Sequence, residues 1–221
     1  MFTNTRRRFI QYMALAGVGG RTLLQTGDAR AALFDAKESV GLGGPWPEMT
    51  YRKLGKTGFN GSRLVFGCGA ALSKQPRDEL LHTAFDHGVN VFDVGYSDYY
   101  DDAEKNLAPF LKQKRDDIFL ISKAPIPAGI EFDEILDVST AKQAAKGWLK
   151  ELDRSLKTLQ VEHVDAYYQM AGNNVSVIAN EEVYAAFESA KAAGKVSHLG
   201  VSTHENAENV LKAMIDTDWY S

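Results

Sequence analysis

The chain has 221 residues, 44% of them hydrophobic and 24% charged, proportions that exclude disorder, collagen and coiled coil and give one domain or at most two. Of 25 basic and 29 acidic residues, positions 1–31 hold five arginines and one acid, so 20 basic and 28 acidic residues remain in the body, a balance that disfavours nonspecific nucleic-acid or anionic-membrane binding. The single cysteine, Cys68, excludes an internal disulfide and any Cys-based metal cluster, and no run of about 18 uncharged apolar residues offers a transmembrane helix or a stable membrane anchor.

Residues 1–31 read as a signal peptide. Arg6, Arg7 and Arg8 open a short, mildly apolar stretch from Phe9 to Gly20, and Ala29-Arg30-Ala31 supplies a small-residue cleavage site. The order Arg-Arg-x-Phe-Ile and the glycines at 17, 19 and 20 resemble a twin-arginine signal. That resemblance implies recognition by the twin-arginine export machinery, passage after folding, cleavage near Ala31 and a periplasmic protein. Residues 32–48, rich in Gly and Pro, read as an irregular lead-in.

From Met49 the pattern becomes regular. Residues 51–64 predict a short hairpin with Gly and Asn turn signals. Strands are expected at 64–67, 89–93, 117–122, 164–168 and 196–201. Helices are expected at 77–87, 103–112, 140–159, 181–193 and 206–215. The first of these helices should bury Leu80, Leu81, Ala84 and Phe85. The long helix over 140–159 should bury Ala144, Trp148, Leu149, Leu152 and Leu156. Strands alternating with helices call for a parallel α/β sheet, and the wholly apolar strands suit a sheet covered on both faces. A doubly wound sheet and an eight-fold (β/α)8 barrel both fit this alternation. Gly67-Cys-Gly69 lacks the remainder of a dinucleotide-binding glycine fingerprint, which tilts the choice towards the barrel.

In a barrel, polar residues at the carboxyl ends of strands line the active-site mouth. Those ends carry Gly67, Asp93, Lys123, Gln169-Met170 and Ser202-Thr203, with Tyr96, Tyr99 and Tyr100 following the aspartate. An ammonium beside a phenol would lower the phenol's pKa and make it a better proton donor. A structural ion pair with surface tyrosines nearby fits the same spacing. Cys68 reads as a small buried residue of the mouth, and His204 as the histidine nearest to a ligand.

The body, over residues 49–221, resembles the aldo-keto reductase family. The resemblance is carried by Tyr51-Arg-Lys-Leu-Gly-Lys-Thr-Gly58, Ser62-Arg-Leu-Val-Phe-Gly-Cys68, Gly88-Val-Asn-Val-Phe-Asp93, Ile121-Ser-Lys123, Val164-Asp-Ala-Tyr-Tyr168 and Gly194-Lys-Val-Ser-His-Leu-Gly-Val-Ser202. It implies a (β/α)8 barrel, incomplete here at about five units plus the hairpin. It also implies NADP(H) as cofactor and hydride transfer between nicotinamide and a small-molecule carbonyl or alcohol. Of the family's Asp-Tyr-Lys-His tetrad, Asp93 and Lys123 match directly. The tyrosine falls on Tyr100 with Tyr99 a close rival, and the glycine that commonly follows it is Asp101. The histidine position holds Met170, which cannot donate a hydrogen bond. Gly67, Ser202 and Thr203 are implied as cofactor contacts, Thr203 standing where the family has Asn. The sixth strand would begin after Tyr220, so a fragment or truncated product is expected. Met170 and the missing last third leave a non-catalytic barrel that binds a ligand or partner as the alternative function.

Overall fold

The computed structural model describes residues 48–131 and 133–221; the expected signal peptide and nearly all of the lead-in lie outside them. Tyr51–Lys53 (β1) and Asn60–Ser62 (β2) pair antiparallel, Tyr51 opposite Ser62, as the hairpin pattern requires. Its turn closes through Gly58 at φ 74° and a hydrogen bond from Leu54 N to Phe59 O at 2.9 Å.

Five parallel strands follow: Phe66–Gly67 (β3), Val91–Asp93 (β4), Phe119–Pro125 (β5), Val164–Met170 (β6) and Val196–Val201 (β7). Their spatial order is their chain order. A doubly wound sheet reverses strand order at its switch point; this sheet does not, so the alternation builds five consecutive units of barrel type. Helices Cys68–Leu72 (α1) and Asp78–Asp86 (α2) follow β3. Ser97–Tyr100 (α3) and Ala103–Lys114 (α4) follow β4, and Val138–Leu159 (α5) follows β5. Val175–Ile178 (α6) and Glu181–Ala192 (α7) follow β6, and Ala207–Thr217 (α8) follows β7.

Alternation along the strands divides the sheet into two faces. Phe92, Leu120, Tyr167 and Leu199 point to the helical layer and are buried against Leu107, Phe110, Trp148, Leu152 and Phe187. The opposite face carries Val91, Phe119, Ile121 and Ala166, covered by Leu54 and Phe59 of the hairpin, with the Phe59 and Phe119 rings 5.2 Å apart. Asp93 and Lys123 lie on this second face, at its uncovered end. On α5, Ala141, Ala144, Ala145, Trp148, Leu152, Leu156 and Leu159 are buried at helical spacing, each large side chain contributing about 1.5–3 kcal/mol. Asp137 caps the helix by accepting from Ser139 N and Thr140 N.

The differences from the expected elements have local causes. Strands β5 and β6 run on to Pro125 and Met170, because Lys123 and Gln169 are polar yet still within the ladder. Leu80 is 47% exposed while Leu81 is fully buried; α2 presents one narrow stripe to the core, and Leu80 lies about 100° around it. Helices α1, α3 and α6, of five residues or fewer, are too short to show a period. Among the described residues, no helix is long and apolar enough to cross a membrane.

Candidate active site

The parallel register aligns the carboxyl ends of the strands: Gly67 with Asp93, Asp93 with Ile121, and Lys123 with Tyr168. Lys123 Nζ donates to both Asp93 oxygens, each at 2.6 Å. The lysine is buried and the aspartate partly so. Burial pushes the Asp93 carboxyl above its ordinary value, while the Lys123 charge and hydrogen bond pull it back.

Tyr100 closes this pair from above. Its ring is wedged between two glycines: a Cβ on Gly69 would stand 2.4 Å from the ring, and one on Gly95 would stand 2.8 Å from it. Lys123 Nζ lies 5.4 Å from the ring centroid. Tyr99 turns outward and is 64% exposed, its ring edge-on to Tyr100 at 4.8 Å. Of the two candidate tyrosines, Tyr100 is the one brought to Lys123.

The expected lowering of the tyrosine's pKa is not what this geometry produces. Burial raises the Tyr100 phenol first, and the Asp93 and Tyr99 charges add to it. The ammonium is engaged by Asp93 and faces the ring, so little of its field reaches the hydroxyl. A raised phenol stays protonated at neutral pH, which suits a proton donor.

Why the chain turns here is legible from the angles. Asp101 has φ 51°, ψ −124° and Asp102 has φ −83°, ψ 12°, the central pair of a type II′ turn. Its first central position is glycine's, because a Cβ is crowded there. The turn delivers the chain from Tyr100 into α4. It is anchored by Asp102 N to Ser73 O at 3.2 Å and by ion pairs Lys74–Asp101 at 2.6 Å and Arg154–Asp98 at 2.8 Å.

Two residues here are absent from the expected site. Tyr168 faces the mouth level with Lys123; a Cβ on Gly200 would lie 2.2 Å from its ring, and burial and Asp93 raise its phenol. Its place two residues before Met170 in an alternating strand was the available clue. Glu104, in the first turn of α4, is buried with Ser122. Burial pushes its carboxyl up to about 7, against the lowering influence of the nearby Ser155 hydroxyl, the Ser122 hydrogen bond and the Arg154 charge, with Glu151 adding to the rise.

The remaining expected residues divide. Gly67 is exposed, and a Cβ there would meet nothing. Ser202 spends its backbone, donating from N to Gln169 O at 3.0 Å and accepting at O from Gly172 N at 2.9 Å. The Thr203 hydroxyl is 2.7 Å from Asn173 Oδ1 and 2.6 Å from Glu205 O, so that side chain ties two loops together. His204 is exposed, its N–H donating to Asn173 Oδ1 at 3.3 Å. Met170 pairs with Pro125, one step beyond Lys123 on the same face, and with Ile126, Ile130, Asn173 and Val177 lines a cavity of about 110 Å³. Cys68 is buried, and burial pushes its thiol far above the ordinary range, which removes it as a nucleophile.

A singly wound α/β sheet with an Asp–Lys pair and a tyrosine at its strand ends defines a class: barrel enzymes whose chemistry sits at the carboxyl face. The chain belongs to the aldo/keto reductase family, whose model matches residues 54–220. It is 27% identical over 187 residues to L-glyceraldehyde 3-phosphate reductase of Escherichia coli K12, covering 78% of this chain and 50% of that one. The same-named protein of Escherichia coli O157:H7 is 27% identical over 172 residues, covering 71% and 46%. The chain thus spans about half the length of the curated relatives it matches. Among solved structures, the holo form of aldo-keto reductase AKR11C1 from Bacillus halodurans superposes with a TM-score of 0.58 at 25% identity, over 76% of this chain and 54% of that one. The fold is accordingly that of the (β/α)8 barrel, of which five strands and their helices are described.

Proposed function

We propose that the chain serves an NADP(H)-dependent oxidoreductase that passes hydride between nicotinamide and a small carbonyl or alcohol. The observation that carries this reading is the two-pronged Lys123–Asp93 pair beneath Tyr100. The residues present fit the nicotinamide end of such a cofactor: Gly67 leaves open space in register with Asp93, and Ser202 follows the end of β7, its backbone held by Gln169 and Gly172. When bound, the cofactor supplies or accepts the hydride. Tyr100 holds its proton at Oη and delivers it to the carbonyl oxygen as negative charge develops there, a contribution worth about 10²–10⁴ in rate. Lys123, fixed by Asp93, stands 5.4 Å from the Tyr100 ring centroid and holds the floor on which the ring sits. Tyr168 and Met170 lie on the same face as Lys123, level with it and one step beyond.

The curated relatives are named for reduction of L-glyceraldehyde 3-phosphate, so small aldehydes form the first substrate panel. The alternative of a non-catalytic barrel draws no support from the family match. The test is fluorescence titration with NADPH and NADH, followed by turnover. Binding with a Tyr100→Phe variant that keeps cofactor affinity and loses at least about a hundredfold in kcat supports the reading; no binding of either nucleotide overturns it. Export belongs to the same proposal, on the strength of the Arg6-Arg7 leader. The Arg6→Lys, Arg7→Lys double variant should stay in the cytoplasm, and an unchanged periplasmic yield would refute the signal reading.

A further inference from the structure

The segment that carries Tyr100 is fastened to β5 at both ends. At its start, Tyr96 N–H donates to the Lys123 carbonyl at 3.0 Å. Eight residues on, the Glu104 carboxyl accepts from the Ser122 hydroxyl at 2.9 Å. Ser122 and Lys123 are consecutive, so both ties land on neighbouring residues of one strand. Alternation sends Lys123 into the mouth and Ser122 towards the helical layer. Between its two ties the chain runs from the backbone at the end of β5 to the helical layer, with Tyr100 at the midpoint.

Ser122 and Glu104 are both buried to within 1%. A carboxyl withdrawn so far from water is costly unless hydrogen-bonded. The other groups facing it are Arg154, Glu151 and Ser155 on α5 and Tyr167 on β6. The Ser155 and Tyr167 hydroxyls are buried without a partner among the described residues. Among these residues, Ser122 is the hydrogen bond that joins Glu104 to the sheet. It also fixes the first turn of α4, directly after the type II′ turn that follows Tyr100.

We propose that Glu104 is a positioning residue for the Tyr100–Lys123 pair, acting through Ser122: the tie sets where the Tyr100 ring stands over the lysine. The inference rests on reading Tyr100 as the proton donor, but its test does not. Three variants of the full chain separate the contributions: Ser122→Ala, Glu104→Leu and Glu104→Gln, the last keeping an amide oxygen that can accept from Ser122. The Tyr100 phenol is titrated by ultraviolet difference absorbance, each variant being subtracted from its own Tyr100→Phe counterpart. Thermal melts confirm folding.

With the tie cut, Tyr100 is less buried and less exposed to Asp93, so its titration should move down towards an ordinary phenol in Ser122→Ala. Glu104→Leu should do the same, and Glu104→Gln should restore the native titration. In turnover, the two tie-cutting variants should lose roughly ten- to a hundredfold in kcat, with KM for NADPH unchanged. A folded Ser122→Ala protein with native Tyr100 titration overturns the proposal, whatever its activity. If Glu104→Leu fails to fold, Ser122→Ala and Glu104→Gln still decide it. If the wild type turns over no aldehyde, the titration alone decides the positioning role while the reductase reading falls separately.

Discussion

Replacing Asp101 with glycine should stabilise the protein. Asp101 holds φ 51°, ψ −124°, outside the left-handed pocket that aspartate tolerates, and at the turn position built for glycine. A side chain held there costs on the order of 1–3 kcal/mol. Two effects oppose the gain. The Lys74–Asp101 ion pair is lost, but its side chains are 80% and 56% exposed, so it is worth about 0–1 kcal/mol. Glycine also enlarges the unfolded ensemble, at roughly 0.5–1 kcal/mol. The net is a gain near 1 kcal/mol, or about 2–4 °C in Tm for a domain of this size. Urea denaturation of Asp101→Gly, Asp101→Ala and Lys74→Ala at low and high salt isolates the parts. Asp101→Ala keeps the strain and loses the pair, so it should be no more stable than wild type. If Asp101→Gly proves no more stable than Asp101→Ala, the turn is not strained and the reasoning fails.

Glu104 should make stability depend on pH. Its folded value is raised from an ordinary 4.5 to about 7, so the stability it contributes is present below about 4.5 and is lost as pH rises through about 7. Glu104→Gln should therefore gain on wild type across that window by up to about 3 kcal/mol; equal urea midpoint differences at pH 4.5 and pH 8 would refute it. Gly69→Ala tests the placement of the Tyr100 ring. The alanine Cβ would stand 2.4 Å from that ring and must displace it, so a protein that still folds should lose at least roughly tenfold in kcat, and unchanged kcat would refute the placement. Met170→His would restore a donor beside the carbonyl, worth about 2.7–4 kcal/mol in the transition state. Turnover of simple aldehydes should rise roughly a hundredfold with cofactor affinity unchanged, and no change on any substrate would show that residue 170 does not face the reacting carbon.

Asp93 and Lys123 were legible in the sequence because each ends an apolar run, and the alternation of strands with helices placed those ends together. Tyr99 and Tyr100 were not separable, since only the four-residue turn of α3 decides which ring faces inward. Glu104 was hidden by a general regularity: an acid in a helix's first turn is usually solvated and favoured by the helix dipole, and nothing local announces that Ser122 lies opposite. Thr203 illustrates the converse, a mouth residue whose hydroxyl turns out to face Asn173 and Glu205. The sign of the shift on Tyr100 depends on the burial of its ring first and on the Asp93 charge second, neither of which a spacing shows.

Strand order that tracks chain order also governs how the molecule is made. Among the described strands, each of β4 to β7 finds its partner in the unit synthesised just before it, so these closures are all of one modest kind. Growth is like laying courses of brick, each seated on the last. A lesion in an early course such as β4 therefore leaves every later one without a proper seat, whereas one in β7 spares the courses already laid.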